Sequence, residues 1–216
     1  MATPMAHASS AHLALADWRR RVAVIYASLR ADTGDPTARA RKFRAARDEL
    51  LATHPSSPIP AAQRPTFGGL AWYDVDPTLV VGAPLEPDPD APALDVPRSG
   101  GGLGIPFLRI GSVSFDVAGV PCRLAVFWLD EYAGGIFIPF RDATSGGETY
   151  GGGRYLWDSA KGADLGTVGD ELVLDFNYAY HPSCTYDPIW SCPLAPRENW
   201  LPVPIRGGER LPGSAP

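Results

Sequence analysis

The sequence predicts a mainly β protein, α+β overall, built as a curled antiparallel sheet or barrel with two N-terminal helices packed outside. Three observations predict it. Apolar residues recur every three or four positions before residue 55 and every second position afterwards. The chain carries 23 Gly and 23 Pro, which interrupt regular elements and favour short strands joined by tight turns. Strand-like segments also follow one another without helical segments between them, which favours antiparallel pairing.

In the first quarter, Leu15, Trp18, Val22, Ile25 and Leu29 place one apolar stripe on a helix that Ser9 or Ser10 can cap. A second helix opens at Asp35-Pro36, where the carboxylate can accept from orphan N–H groups and the ring is pre-set for the first turn. Phe43, Leu50 and Leu51 form its apolar side, and His54-Pro55 ends it because proline disfavours helical geometry in the residue before it. A proline-rich connector, Pro55 to Pro65, leads into the β region.

Strands are expected at Leu70–Tyr73, Thr78–Ala83, Phe107–Ile110, Ser112–Val117, Val120–Leu129, Gly135–Phe140, Glu148–Trp157, Glu171–Phe176 and Leu201–Arg206. The best hairpin joins Ser112–Val117 to Val120–Leu129 through Ala118-Gly119. The acidic segment Glu86–Asp95 and the glycine run Gly100–Gly102 read as surface loops. With 216 residues one core suffices, divided as a disordered N-terminus (1–10), a helical segment (11–54), a β domain (55–210) and a disordered tail (211–216). There is no internal repeat.

Composition narrows the function classes. A net charge of -5 and a pI near 5.3, without a long basic run, remove the electrostatic footprint of nucleic-acid binding. No run of 18 apolar residues and no signal-like N-terminus is present, so neither a membrane partner nor export is expected. Three cysteines in a chain that can build its own core need no disulfide framework, and a reducing, cytoplasmic location fits. Neither the oligomeric state nor a cofactor is legible in the sequence.

Two segments concentrate chemistry. Between Arg141 and Tyr155 lie two arginines, two carboxylates, two tyrosines and a glycine-rich backbone, a mixture able to hold an anion in a nest of N–H groups and a guanidinium fork. Turn chemistry accounts for most of the same residues: Asp142 and Thr144 cap a turn, and the glycines supply positive φ. It is not a P-loop, since Arg154-Tyr155-Leu156 follows its glycines, and the run Gly100 to Gly104 lacks a strand-turn-helix setting.

The second segment runs from Asp175 through Asn177, Tyr180, His181 and Cys184 to Cys192. His181, Cys184 and Cys192 are weak metal candidates, because the cysteines stand eight apart and a fourth ligand is missing. Cys184 could act as a nucleophile if His181 or a cation stabilised its thiolate and Asp175 oriented the base. More simply, both thiols are small buried apolar groups, or a pair able to close a nine-residue ring stabilising by about 2.6 kcal/mol. His7, His12 and His54 fall on an end, a helix start and a linker, where exposed histidine needs no role. Trp72, Trp128, Trp157, Trp190 and Trp200 read as core or pocket lining.

Three stretches resemble an uncharacterised family, domain of unknown function 1684. They are Phe67-Gly68-Gly69-Leu70-Ala71-Trp72-Tyr73 with Asp76-Pro77; Ile138-Pro139-Phe140-Arg141-Asp142 through Thr149-Tyr150-Gly151-Gly152-Gly153-Arg154-Tyr155-Leu156; and Leu174-Asp175-Phe176-Asn177 through Cys184, Cys192-Pro193 and Glu198-Asn199. The likeness spans roughly Arg41 to Arg210. Where the family usually reads Ala-Tyr-Asn-Pro-Pro-Cys, this chain has Ala179-Tyr180-His181-Pro182-Ser183-Cys184, so His181 is a departure that weakens both the metal and the Cys/His readings. The resemblance transfers no activity or cofactor. It implies that Asp142, Tyr150, Arg154, Asp175, Asn177, Cys184, Cys192 and Asn199 share one site.

The resulting expectation is a pocket at one end of the sheet that binds an anionic small molecule. Arg141, Thr144, Tyr150, Arg154, Tyr155, Asn177, Tyr180, Cys192 and Asn199 would line it. The rival is a hydrolytic or thiol-dependent enzyme using Asp142, Asp175 or Cys184. A third reading is a structural or partner-binding protein whose helices present Trp18 and Tyr26 to another chain.

Overall fold

A computed structural model of the chain describes residues 4–88, 90, 93–101, 104–130 and 132–214. Helix α1 (Pro4–Ala31) starts ahead of the expected Ser9 or Ser10 cap. Val22 and Leu29 are buried and Trp18 and Ile25 pack against the core, while Leu15 stays exposed. Helix α2 (Pro36–Thr53) opens as expected, Asp35 accepting from the Ala38 N–H at 2.8 Å, and stops before His54.

Both helices pack on the β region through aromatic edges. The Phe43 ring meets Tyr26 at 5.3 Å and Tyr178 at 4.9 Å, so Tyr26 is core and is not presented to a partner. His54 is likewise buried, against the Trp18 ring and 3.3 Å from the Asp17 carboxylate, contrary to its expected place in an exposed linker.

Among the described residues eleven strands follow: β1 (Ala71–Trp72), β2 (Val80–Pro84), β3 (Glu86–Pro87), β4 (Ala93–Val96), β5 (Ile105–Val117), β6 (Val120–Leu129), β7 (Ile136–Phe140), β8 (Arg154–Asp158), β9 (Thr167–Val168), β10 (Glu171–Asp175) and β11 (Glu209–Arg210). All ladders are antiparallel. β3, β5, β6, β7 and β8 run in that order, with β4 also on the edge of β5; β2, β10 and β9 form a second sheet; β1 pairs β11. No closed barrel forms among the described residues.

The β5–β6 hairpin has the expected two-residue turn, Ala118 and Gly119 both at positive φ, with Asp116 accepting from the Gly119 N–H at 2.7 Å. Phe107–Ile110 and Ser112–Val117 merge into the single strand β5, whose register shifts between Arg109 and Gly111.

The departures have local causes. Leu201–Arg206 is not a strand, because Pro202 and Pro204 remove ladder donors, and the pairing moves to β11. Only Arg154–Trp157 of the expected Glu148–Trp157 strand pairs within β8, since the glycines before it turn the chain. The segment Glu86–Asp95 contributes β3 and part of β4, short, charged and proline-bearing as edge strands are. Residues 89, 91, 92 and 102 of the expected loops, like 1–3 and 215–216 of the expected disordered ends, lie outside the described residues.

The large sheet is buried on both faces. Val113, Leu124, Val126, Ile138 and Leu156 join the helices and Leu174 in one core, and Phe107, Ala125, Phe127, Phe137 and Tyr155 form a second. The covering of this second face brings the segment after β10 back across the sheet, where the candidate residues lie. Among the described residues no helix is long and apolar enough to cross a membrane.

Candidate functional site

The residues expected to share one pocket separate into four groups. The first is a buried clamp. Arg154 on β8 has no exposed surface; its two Nη atoms donate to the carbonyls of Gly207, Glu209 (3.1 Å) and Ile205 (2.7 Å) and to Asp142 at 3.4 Å. Asp142 accepts from the Ile205 N–H at 2.6 Å and from the Thr144 hydroxyl at 2.8 Å, and Thr144 meets Thr149 at 2.9 Å.

The clamp ties the C-terminal stretch to the sheet and leaves no guanidinium N–H pair for a ligand. Arg154 and Thr144, expected as ligand contacts, thus make structural hydrogen bonds here, and both oxygens of Asp142 accept from protein donors. The glycine nest is corrected for the same reason. The Gly146, Gly147 and Gly153 N–H groups donate to Thr149, Thr144 and Tyr150 within the segment, as the turn reading requires.

A second group staples the sheet. Asn199, fully buried, accepts from the Ala125 N–H at 2.8 Å and donates to the carbonyls of Ala125 and Pro139. Arg141 stacks over the Trp200 ring at 4.0 Å and bridges to it through main chain.

A third lies near the helices. Asp175 accepts from the Asn177 N–H and side-chain amide at 3.1 and 2.9 Å and sits 3.7 Å from Arg39 on α2. Asn177 also bonds main chain at Asp76 in both directions. Burial pushes the Asp175 carboxyl up, against the pull of Asn177 and Arg39. It opens on a different cleft, with Arg39, Val173 and Tyr178.

The fourth group surrounds the two neighbouring thiols. The Tyr150 hydroxyl lies 3.6 Å from Cys184 Sγ, the Cys184 N–H donates to Cys192 Sγ at 3.4 Å, and Tyr155 donates to the Pro193 carbonyl. Tyr180 packs on Tyr155 and under Arg47. His181 uses its Nε2 to accept from the Tyr150 N–H at 3.2 Å, and among the described residues no cluster of three or more His, Cys, Asp or Glu is arranged to hold a metal ion. Burial lowers its pKa to about 4, so the ring is neutral at pH 7.

Beside this group opens a cleft of about 420 Å³ that no local pattern announced. One wall is the first family motif, Phe67, Gly68, Gly69, Leu70 and Ala71; Thr185 and Tyr186 face it, His181 and Glu209 lie at its base, and Arg210 and Leu211 edge it. Gly69 has a φ of +101, a conformation that L side chains rarely adopt, and a Cβ there would come within 2.9 Å of the Asp48 carboxylate. Asp48 of α2 accepts from the Leu70 N–H at 3.0 Å.

Under the cleft Glu209 is fully buried and saturated. Arg47 lies 3.1 Å away, the His181 N–H donates at 2.7 Å and the Tyr186 hydroxyl donates to its other oxygen. Arg210 differs. Its Nε donates to the Trp72 carbonyl at 3.3 Å and its Nη1 to Ser214, and no carboxylate pairs with it among the described residues.

Arg47, Asp48, Glu209 and Arg210 were missed because their partners lie far along the chain, 162 residues for Arg47 and Glu209, with no spacing rule to link them. The first motif's Phe67-Gly68-Gly69-Leu70 did carry a signal, but no role had been assigned to it.

Comparison with known proteins follows the same lines. No curated protein matches the chain. Five chains of solved structures match. Among them is the solution NMR structure of an uncharacterised protein from Haloarcula marismortui, with 36% identity and a TM-score of 0.58 over 81% of this chain and 93% of that one. The family described as "Protein of unknown function (DUF1684)" matches residues 65–210, which include every strand and all three motifs. The chain belongs to that family.

Proposed function

We propose that the protein binds a small organic anion, a carboxylate with an apolar body, in the cleft between Phe67–Ala71 and Thr185–Tyr186. One observation carries the reading: Arg210 stands at the edge of a concave, mostly apolar site without a carboxylate partner among the described residues. A carboxylate can take the guanidinium face that main chain leaves open, while Phe67, Leu70 and Leu211 cover its hydrocarbon part. The charge of the buried Glu209 is balanced by Arg47, and the His181 N–H and Tyr186 hydroxyl occupy its oxygens, so Arg210 supplies the uncompensated positive charge at this end of the cleft. The setting proposed is the cytoplasm, where three cysteines need not pair.

The anion site thereby moves from Arg141 and Arg154 to Arg210. An acid–base enzyme is less favoured, since Asp142 and Asp175 are buried and committed to protein donors. The test is a thermal-shift series with benzoate, medium-chain aliphatic carboxylates and inorganic phosphate on the wild type and on Arg210→Ala. Carboxylates should raise the wild-type Tm more than phosphate, and Arg210→Ala should lose most of the rise. Equal shifts in the two proteins, or none with any carboxylate, would overturn the reading.

A further inference from the structure

We propose that Cys184 and Cys192 form a dithiol redox centre that reacts with small-molecule disulfides, Cys184 attacking and Cys192 resolving. The inference is independent of the cleft's ligand. Both thiols are free, and they lie close across an eight-residue separation: the Cys184 N–H donates to Cys192 Sγ at 3.4 Å, and the Tyr150 hydroxyl lies 3.6 Å from Cys184 Sγ.

The loop itself is pinned at the resolving end. Cys192 donates its N–H to Ser99 Oγ at 2.9 Å and accepts from the Ser99 N–H at 2.9 Å, and Leu194 donates to the Pro97 carbonyl at 2.8 Å. Cys184 rides on the short Ser183–Thr185 turn.

Exposure assigns the roles. Cys184 is partly open to solvent, whereas Cys192 is buried, with 6% of its surface exposed, so an external disulfide reaches only the first. The surroundings favour a thiolate at Cys184. The neighbouring Cys192 thiol, Ser99 hydroxyl and Tyr150 hydroxyl lower its pKa to about 6 against the opposing effect of burial. The same contact pushes Cys192 up, so the proton stays there until it is needed.

The chemistry balances without a metal or cofactor. The Cys184 thiolate attacks one sulfur of a disulfide RSSR; the S–S bond breaks, RS⁻ leaves, and a Cys184–SR mixed disulfide forms. RS⁻ takes the proton from Cys192, whose thiolate then attacks Cys184 Sγ, closing the Cys184–Cys192 bond and releasing the second RS⁻. The dithiol loses two electrons and RSSR gains them. In a reducing compartment such a bond is transient, as redox-sensing or catalytic pairs are.

The experiment equilibrates the full-length protein in glutathione buffers of increasing oxidised fraction, followed by acid quenching, alkylation in denaturant and peptide mass spectrometry. The wild type should acquire a disulfide between Cys184 and Cys192, while Cys122, buried in the core, stays alkylatable. Cys192→Ser should stop at glutathione on Cys184, and Cys184→Ser should take up neither. Iodoacetamide labelling of native protein should rise with a midpoint near pH 6 at Cys184. The proposal is overturned if folded wild type keeps both thiols alkylatable even in oxidised glutathione alone, or if glutathione accumulates on Cys192 instead.

Discussion

Arg154 and Arg210 sit at opposite ends of the same problem. Both lie within reach of the C-terminal stretch, and both come from segments of similar composition, yet one is a rivet and the other faces a cleft. Arg154 spends its terminal donors on three main-chain carbonyls and Asp142, whereas Arg210 spends Nε and one Nη on Trp72 and Ser214. What decides a guanidinium's role here is how many of its N–H groups the backbone has already consumed, a quantity set by tertiary structure.

The contrast can be broken most forcefully at the rivet. Arg154→Met should destabilise the protein by roughly 3–5 kcal/mol in urea unfolding, because Asp142 is left buried without its cation and three carbonyls lose a donor. Recovery of most of that loss in a double variant with Asp142→Leu would show that the uncompensated charge, more than the carbonyls, sets the cost.

Next in size is a pH effect beside the cleft. His181 is neutral in the fold with its pKa depressed to about 4, against 6.5 for an unhindered imidazole. Below pH 6.5 the unfolded chain takes up a proton that the folded protein refuses, so stability is level above that pH and falls as pH drops towards 4, by about 3 kcal/mol in total. His181→Asn should flatten that slope. An unchanged acid limb would assign the loss to other groups.

Smaller again is the wall of the cleft. Asp48→Ala removes the acceptor of the Leu70 N–H and should cost about 1 kcal/mol. It should also loosen Gly69–Ala71, seen as faster amide exchange there and weaker carboxylate binding. Smallest in stability is Arg210→Ala, expected within about 0.5 kcal/mol because its contacts are few and partly exposed. Its effect should appear in binding. A stability loss as large as that of Arg154→Met would make Arg210 a second rivet.

Local signals were the legible ones. Asp35-Pro36, His54-Pro55 and Ala118-Gly119 each act within four residues, and each formed the boundary or turn expected of it. The proximity of Tyr150, Cys184 and Cys192 was legible through the family motifs, although their spacing alone did not require it. Other features were not. Whether Arg154 is free depends on carbonyls 51 to 55 residues away, and the partner of Glu209 lies on α2 at the far end of the chain. No periodicity or turn rule spans such distances. Proline also misled: Leu201–Arg206 alternates like a strand, but two of its N–H donors do not exist.

The central claim is that an organic anion enters beside Arg210 and not at the glycine-rich hairpin. Amide chemical shifts recorded during a benzoate titration of the wild type locate it directly. Gly68, Gly69, Ala71 and Leu211 should move together and saturate, while Thr144, Gly146 and Gly147 hold still. Saturable shifts confined to the hairpin, or no saturable shift around the cleft, would contradict it.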